Sequence, residues 1–315
     1  MKRFPIILAV LSVVFNIILI SFLVNRPKGA SETGVEEAKF PYLSKRIFVE
    51  NQNDILINFI PLRKSLRTYV ESMKNPTGVY FEYLPSGVSI GVDEKENFIS
   101  ASLLKVPLVM AVFKEIEEGT LRLDQKLAVK EANIDPYFGE LWKMGPGTEI
   151  TVEQAINLVL TESDNTAKSV LFDSLKQESI DNVFDSLDIP KEREGTNPVV
   201  SPKNYSSILR SLYLSSYLKE ENSNHVLDLL TKTIFTDKLP AGVPSYVKVA
   251  HKIGVYGQTD DSKAIYTDCG IIYIPKRPYI LCIMARTNEE EATKIMIELS
   301  KTVYDYVSSI NPPSK

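Results

Sequence analysis

The sequence predicts an α/β protein of the α+β type, in which an antiparallel sheet from the N- and C-terminal segments is flanked by helices and carries an inserted all-α lobe. Strand-like patterns occur at residues 79–92 and return at residues 246–286. Apolar residues at helical spacing dominate residues 120–240 between them. Because strands lie on both sides of this helical region, we expect the two ends of the domain to meet in one sheet.

The composition is that of an ordinary globular protein. The chain has 315 residues, 44% hydrophobic and 24% charged, which suits one large domain or two small ones. The net charge of −4 and the lack of a basic run with interleaved aromatic residues argue against a nucleic-acid partner. Two histidines and two cysteines are too few for a zinc cage or a disulfide framework, so no metal is expected. Nothing signals oligomerisation, and a monomer is expected.

The N-terminus predicts a membrane anchor. Residues 4–24 are almost entirely apolar, and about 20 apolar residues span a bilayer. A cleavable signal would have a shorter apolar core and a small-x-small cleavage site, whereas Lys28 occupies the minus-three position here. We therefore expect an uncleaved anchor over residues 1–28, with a cleaved signal as the alternative, then a linker over 29–53 and a catalytic domain over 54–312.

The remaining elements follow in chain order. Before the first motif, the patterns predict a helix over 54–73 interrupted by Pro61, a turn at 75–78, and strands over 79–84 and 88–92. In the lobe, Thr151 is a plausible helix cap, and further helices are predicted over 165–174, 180–187 and 202–216. The closing part predicts strands over 246–252, 264–274 and 279–286 and a helix over 289–308.

Two cysteines fall on neighbouring strands of the last predicted hairpin. Cys269 and Cys282 are able to pair in one strand register, but buried free thiols are the favoured interpretation.

A serine and a lysine open the apolar helix that runs to Glu118 and ends at Gly119. Ser102 and Lys105 are three residues apart, so their side chains share one helix face. A serine hydroxyl needs a base beside it to become a good nucleophile, and a lysine in a dry pocket near a second cation can be that base. The S-x-x-K pattern alone is weak, because it also occurs at residues 216–219 and 245–248.

Two later motifs single out Ser102. Ser163-Asp164-Asn165 lies in the helical lobe, and Lys252-Ile253-Gly254 lies on a late strand. In this order and context, the three motifs resemble those of class A β-lactamases and their penicillin-binding relatives. The similarity covers most of residues 55–310, and it implies the β-lactamase/transpeptidase-like fold.

The resemblance also implies the roles of the site residues. Ser102 would be the acylated nucleophile, Lys105 would accept its proton directly or through water, and Ser163 would relay a proton to the leaving nitrogen. Asn165 would hold Lys105 and the substrate amide. Lys252 would lower the pKa of neighbouring cations and attract a substrate carboxylate.

The same resemblance places an oxyanion hole at the strand edge. The backbone N–H groups of Ser102 and Val255 would hold the oxyanion, and Gly254 and Val255 would bind substrate. The family needs no metal or organic cofactor for this chemistry.

Three departures from the family pattern bear on turnover. Ile253 lacks the hydroxyl usual at the middle of the third motif, and Cys269 stands where a carboxylate-binding arginine often lies. The loop at 187–198 is short, and neither Glu192 nor Glu194 has the usual spacing to Asn197. These two glutamates are therefore weak candidates for the deacylating base. We expect acylation of the serine to proceed while hydrolysis of the acyl-enzyme is slow.

Together these features predict a membrane-anchored serine β-lactamase-like hydrolase. We expect a single-pass protein of the cell membrane, with its catalytic domain extracytoplasmic, that acts on β-lactams through an acyl-enzyme on Ser102. The alternatives are a low-turnover D,D-carboxypeptidase or penicillin-binding protein acting on D-alanyl peptides of the cell wall, and a non-hydrolytic penicillin sensor.

Overall fold

Five strands form an antiparallel sheet in the order β2-β1-β10-β9-β8, and this sheet organises the molecule. The computed structural model describes residues 41–43, 57–176, 178–257 and 264–310. The strands are β1 (Thr77–Tyr83), β2 (Val88–Val92), β3 (Phe98–Ile99), β4 (Lys126–Ala128), β5 (Glu149–Thr151), β6 (Arg193–Glu194), β7 (Asn197–Val200), β8 (Lys248–Tyr256), β9 (Ile265–Tyr273) and β10 (Tyr279–Arg286). The predicted sheet from both ends of the domain is confirmed.

Helices cover the sheet and build the lobe between β2 and β8. They are α1 (Ile60–Glu71), α2 (Lys105–Glu117), α3 (Val152–Thr161), α4 (Asn165–Asp173), α5 (Ser179–Ser186), α6 (Pro202–Leu214), α7 (Glu220–Leu230) and α8 (Glu289–Ser309). Short 3₁₀ turns lie at Ala101–Leu104, Glu131–Asn133, Leu141–Met144 and Leu239–Gly242.

The N-terminal anchor and nearly all of the linker lie outside the described residues. Within the described part of the chain, no helix has the length and apolar character needed to cross a membrane.

The start of the domain differs from the prediction in two places. The first helix begins at Ile60 rather than at residue 54, and Pro61 lies in its first turn, where the missing N–H does no harm. Thr77 and Gly78, predicted as turn, belong to β1 and pair with Ala285 and Met284. The Asn-Pro pair that suggested a turn ends one residue before the strand.

The two sheet faces are different. One packs under α1 and α8 and forms the main apolar cluster, with members such as Phe81, Ile283 and Leu299. On the other face, which α6 covers, Lys252, Cys269 and Cys282 stand directly opposite one another on β8, β9 and β10. The row places a charged side chain of the third motif beneath the helical lobe.

The two cysteines are free and buried, as favoured from the sequence. Burial raises the pKa of both the Cys269 and Cys282 thiols. They are therefore neutral core side chains at physiological pH.

Local signals account for part of the lobe. Thr151 caps α3 in a reciprocal capping box: Gln154 N–H donates to its hydroxyl at 3.1 Å, and its own N–H donates to Gln154 Oε1 at 2.8 Å. The predicted helices at α4, α5 and α6 are present within two residues of their expected bounds. Helix α7 and the short strands β4 to β7 were not predicted.

Candidate active site

Ser102 lies in a strained turn at the foot of α2. The turn is a 3₁₀ helix rather than the first α-helical turn that the sequence suggested, and Ala101 before the serine has φ of +46°. This left-handed conformation is unfavourable for alanine and recurs at functional sites. Ser100 anchors the turn, because both its N–H and its hydroxyl donate to Pro198 O on β7, at 2.9 and 3.0 Å.

Gly254 lets β8 approach this turn closely. A Cβ on Gly254 would lie 2.6 Å from Thr267 Oγ1, 3.1 Å from Ser100 O and 3.4 Å from Ser102 N. Since β8 is an edge strand of the five-stranded sheet, alternate N–H groups along it have no strand partner. The position of Val255, next to Gly254, is consistent with the predicted oxyanion hole.

Lys105 contacts three other residues of the site. Its Nζ lies 3.0 Å from Ser102 Oγ, 3.0 Å from Ser163 Oγ, 2.6 Å from Ser163 O and 2.6 Å from Asn165 Oδ1. The side chain is only 2% exposed. The structure therefore brings Ser102, Lys105, Ser163 and Asn165 into one cluster.

The second motif supplies Ser163 from another strained turn. Ser163 has φ of +59°, and the fully buried Asp164 beside it caps α4 by accepting from Ala167 N–H at 2.7 Å. The second carboxylate oxygen of Asp164 accepts from Leu141 N–H at 2.9 Å. These bonds fix the turn that points the Ser163 hydroxyl at both lysines.

Lys252 completes the cluster from β8. Its Nζ donates to Ser163 Oγ at 2.9 Å and to Ile253 O at 3.2 Å, and lies 5.8 Å from the centre of the Phe235 ring. The side chain is only 1% exposed. Two buried lysine side chains thus converge on one hydroxyl.

Burial lowers the pKa of both lysines, and repulsion from neighbouring lysines adds to the effect only at Lys105. Burial first, then the charges of Lys252 and Lys168, lower the pKa of Lys105 from 10.5 to about 6. Burial lowers the pKa of Lys252 to about 7, although the Asp268 carboxylate opposes the change. At neutral pH, Lys105 is largely an unprotonated amine that can accept a proton.

The two weak deacylation candidates lie against other partners. Glu192 accepts a hydrogen bond from Asn97 Nδ2, and Glu194 faces Arg286 Nη2 at 3.8 Å. Both side chains are exposed. Among the described residues, neither glutamate forms a hydrogen bond with Ser102 or Lys105, so the contacts give no support to either as a base.

The other two departures from the family pattern, Cys269 and Ile253, are both buried in the sheet. Cys269 is fully buried directly opposite Lys252, so its thiol offers no positive group to a substrate carboxylate. Ile253 is also buried, opposite Asp268.

The competing sequence matches do not form such a cluster. Ser216 and Lys219 lie in the connection between α6 and α7, whereas Ser245 lies before β8 and Lys248 is the first residue of that strand. Lys219 and Lys248 are both exposed, unlike the buried Lys105.

Sequence reasoning missed a buried pair beside the third motif. His251 Nδ1 lies 2.8 Å from Asp268 Oδ1, and Asp268 Oδ2 accepts from Leu239 N–H at 3.0 Å. Since an ionised carboxylate only accepts, the imidazole is assigned as the donor. The available signal was a histidine adjacent to Lys252, which by itself does not indicate a partner. In the part of the chain that the structure describes, no three histidine, cysteine, aspartate or glutamate side chains are grouped to hold a metal ion.

Comparison with known proteins shows the family and the fold of this chain. Residues 61–307 match the profile of the beta-lactamase enzyme family. Beta-lactamase VEB-1 of Pseudomonas aeruginosa is 22% identical over 244 residues, which cover 69% of this chain and 81% of that protein. The structure of PBP-A superposes with a TM-score of 0.72 at 25% identity, over 80% of this chain and 97% of that one. A beta-lactamase structure from Sphaerobacter thermophilus gives a TM-score of 0.72 at 19% identity, over 81% and 100% of the two chains.

Proposed function

Because the chain belongs to the beta-lactamase enzyme family, whose profile spans residues 61–307, we propose that it opens β-lactams by forming an acyl-enzyme on Ser102. The observation that carries the proposal is the 3.0 Å contact between Ser102 Oγ and Lys105 Nζ, a buried amine with a pKa lowered to about 6. A nucleophile within hydrogen-bond reach of a base in the right protonation state is what acyl transfer requires.

The partners of Lys105 direct its lone pair. A neutral amine has two hydrogens, and Ser163 O and Asn165 Oδ1, each 2.6 Å away, are carbonyl oxygens that only accept. They take both hydrogens, which leaves the lone pair for a hydroxyl. The Ser102 proton then passes to Lys105 as Oγ attacks the lactam carbonyl carbon.

Collapse of the tetrahedral intermediate needs a proton on the leaving nitrogen. The backbone N–H groups of Ser102 and Val255 are proposed to hold the oxyanion until the ring C–N bond breaks. Ser163 then donates its hydroxyl proton to the nitrogen and recovers one from the lysines, both of which lie within 3.0 Å of its Oγ. Lys252 also attracts the substrate carboxylate, which neither Cys269 nor Ile253 is able to bind.

A second function is favoured by the surroundings of Glu192 and Glu194. Hydrolysis of the ester on Ser102 requires a base for water, and these exposed glutamates are held by Asn97 and Arg286 instead. A long-lived acyl-enzyme is the behaviour of a penicillin-binding protein or a low-turnover D,D-carboxypeptidase acting on D-alanyl peptides, or of a non-hydrolytic sensor.

Mass spectrometry of the purified full-length chain with benzylpenicillin tests the proposal. A covalent adduct on the unmodified protein that disappears in Ser102→Ala is expected, while Ser216→Ala, which alters another S-x-x-K serine, retains it. No adduct on the unmodified protein would refute acylation. Turnover of nitrocefin then separates the two functions: fast turnover marks a β-lactamase, and a stoichiometric adduct with negligible turnover marks a penicillin-binding protein.

We further propose that residues 1–28 anchor the protein in the cell membrane as a single-pass helix, with the catalytic domain of residues 54–312 extracytoplasmic and monomeric. The long apolar stretch of residues 4–24 supports this. Full-length protein is expected in the membrane fraction and a chain lacking residues 1–28 in the soluble fraction. Recovery of a mature protein that begins after residue 28 would instead indicate a cleaved signal.

A further inference from the structure

Helix α4 has one buried side and one side that leads out of the active site. Thr166, Ala167, Val170 and Leu171 are buried in the lobe. The opposite side starts with Asn165, beside Lys105, and continues through Lys168, Ser169 and Phe172, and we call these four residues the α4 outer face. Phe172 at its far end is 60% exposed, which is high for a phenylalanine.

The loop between α5 and α6 does not cover this face by polar contacts. Its strand β7 pairs with β3, its Pro198 accepts from Ser100, and its Glu194 faces Arg286. Among the described residues, no hydrogen bond or ion pair joins residues 187–200 to α4. Residues 187–200 therefore supply no polar partner to the α4 outer face, whose first residue, Asn165, contacts Lys105.

Lys168 is the charged group on this face. It is half-buried, and no described residue forms an ion pair or a side-chain hydrogen bond with its amine. Lysines near the same helix do have partners: Lys130 pairs with Asp173 at 3.0 Å and Lys176 with Glu115 at 3.3 Å. A half-buried lysine without an anion is an unusual feature on a surface rich in acidic residues.

The charge of Lys168 acts on the reaction centre. Residues three apart share a helix face, so Lys168 lies one turn beyond Asn165 on the same side. Its charge also helps to lower the pKa of Lys105. Both observations place the Lys168 amine near the region where Asn165 would hold the substrate amide.

We propose that the α4 outer face binds the acyl side of the substrate and that Lys168 binds a carboxylate carried by the acyl group. This inference rests on the proposed function, because it names the substrates that the Ser102 site prefers. One helical turn of three residues rises about 4.5 Å, so the favoured carboxylate lies within a few bonds of the acyl amide. The ligand class is thus β-lactams with an acidic acyl group, and Phe172 offers an apolar surface beyond the charge.

Two penicillins that differ by one carboxylate test the inference. Carbenicillin is benzylpenicillin with a carboxylate on the carbon next to the acyl carbonyl. The second-order rate constants of acylation are measured for both on the full-length protein, and their ratio is compared among variants. In Lys168→Met the carbenicillin/benzylpenicillin ratio is expected to fall about threefold to tenfold. Lys168→Arg is expected to keep most of the ratio.

The ratio isolates recognition from other effects of the substitution. Partial misfolding, or a raised pKa of Lys105 in Lys168→Met, changes both rates alike and leaves the ratio unchanged. Lys64→Met, which removes an exposed lysine of α1, is the matched control and is expected to keep the ratio. An unchanged ratio in Lys168→Met would refute the carboxylate site, whereas failure of benzylpenicillin to acylate the unmodified protein would refute the proposed function itself.

Discussion

Lys105 and Lys252 converge on one acceptor, the Ser163 hydroxyl, at 3.0 and 2.9 Å. Two lysines so close and so deeply buried cannot both carry a full charge without a large penalty, because no carboxylate of the described residues is in direct contact with either. The protein therefore holds one of them neutral at physiological pH. This arrangement supplies a base next to Ser102 and a cation next to the expected position of the substrate carboxylate.

The pH dependence of acylation follows from these two lysines. The pKa of Lys105 is lowered to about 6, and only its neutral form accepts the serine proton, so acylation is expected to fall as the pH drops through about 6. The pKa of Lys252 is lowered to about 7, so loss of its charge above that pH weakens attraction of an anionic substrate. The profile of the acylation rate constant is expected to be bell-shaped, with limbs that belong to the coupled pair.

Rapid-mixing acylation kinetics with a fluorescent penicillin between pH 5 and pH 10 provide the measurement. Lys252→Arg keeps the charge throughout and is expected to shift the alkaline limb upward while the acidic limb remains near pH 6. A rate that is constant from pH 5 to pH 8 would contradict the assignment of Lys105 as the base.

The sequence was sufficient for the sheet, for the order of the motifs and for the residues of the cluster. Strand alternation and three spaced motifs are local patterns that can be read from the sequence. The family resemblance was then enough to group Ser102, Ser163 and Lys252. The strand β10 has the predicted bounds, since a run of apolar residues between a turn and a helix cap leaves little freedom.

Features that depend on tertiary contacts could not be predicted from the sequence. The left-handed backbone at Ala101 cannot be predicted from a sequence pattern, because alanine does not favour this conformation and the surrounding structure imposes it. The contact between His251 and Asp268 joins two strands, and the sequence around either residue gives no indication of the other. Among the described residues, Lys168 has no anionic partner, and no local signal in the sequence specifies this.

Gly254→Ala is expected to impair acylation by separating β8 from the serine turn. The new Cβ would lie 2.6 Å from Thr267 Oγ1 and 3.1 Å from Ser100 O, so β8 or the turn must move. Overpacking of this kind costs about 1–3 kcal/mol of stability. Because a shift of about 1 Å in an oxyanion donor is costly, the acylation rate is expected to fall by about 100-fold.

The double variant Gly254→Ala/Thr267→Ala separates stability from geometry. Removing the Thr267 hydroxyl relieves the shortest contact, so thermal stability is expected to recover in part. Acylation stays low, because the contact with the Ser100 backbone remains. Wild-type acylation in Gly254→Ala would show that β8 does not have to lie this close to Ser102.

His251 and Asp268 are expected to stabilise the strand that carries Lys252. Both side chains are buried, and removing one partner leaves the other polar group without its bond. His251→Ala is therefore expected to cost about 3–5 kcal/mol in the free energy of unfolding, measured by urea denaturation.

A double-mutant cycle checks that the cost comes from the pair. His251→Ala/Asp268→Ala is expected to be less destabilised than the sum of the single variants by about 1 kcal/mol or more. Strict additivity of the two losses would indicate that the 2.8 Å contact contributes nothing of its own.

Glu192→Gln and Glu194→Gln are expected to leave the rate of acyl-group release unchanged within about twofold. Removing a general base lowers a rate by about 10²-fold or more, and neither glutamate contacts Ser102 among the described residues. The half-life of the benzylpenicillin adduct, followed by mass spectrometry after removal of free drug, gives the measurement. Asn97→Ala, which frees Glu192 from its hydrogen-bond partner, is the companion variant and tests whether that contact restrains a latent base. A half-life lengthened tenfold or more by either glutamine substitution would identify that glutamate as the deacylating base and would make β-lactamase turnover, rather than retention of the acyl group, the expected behaviour.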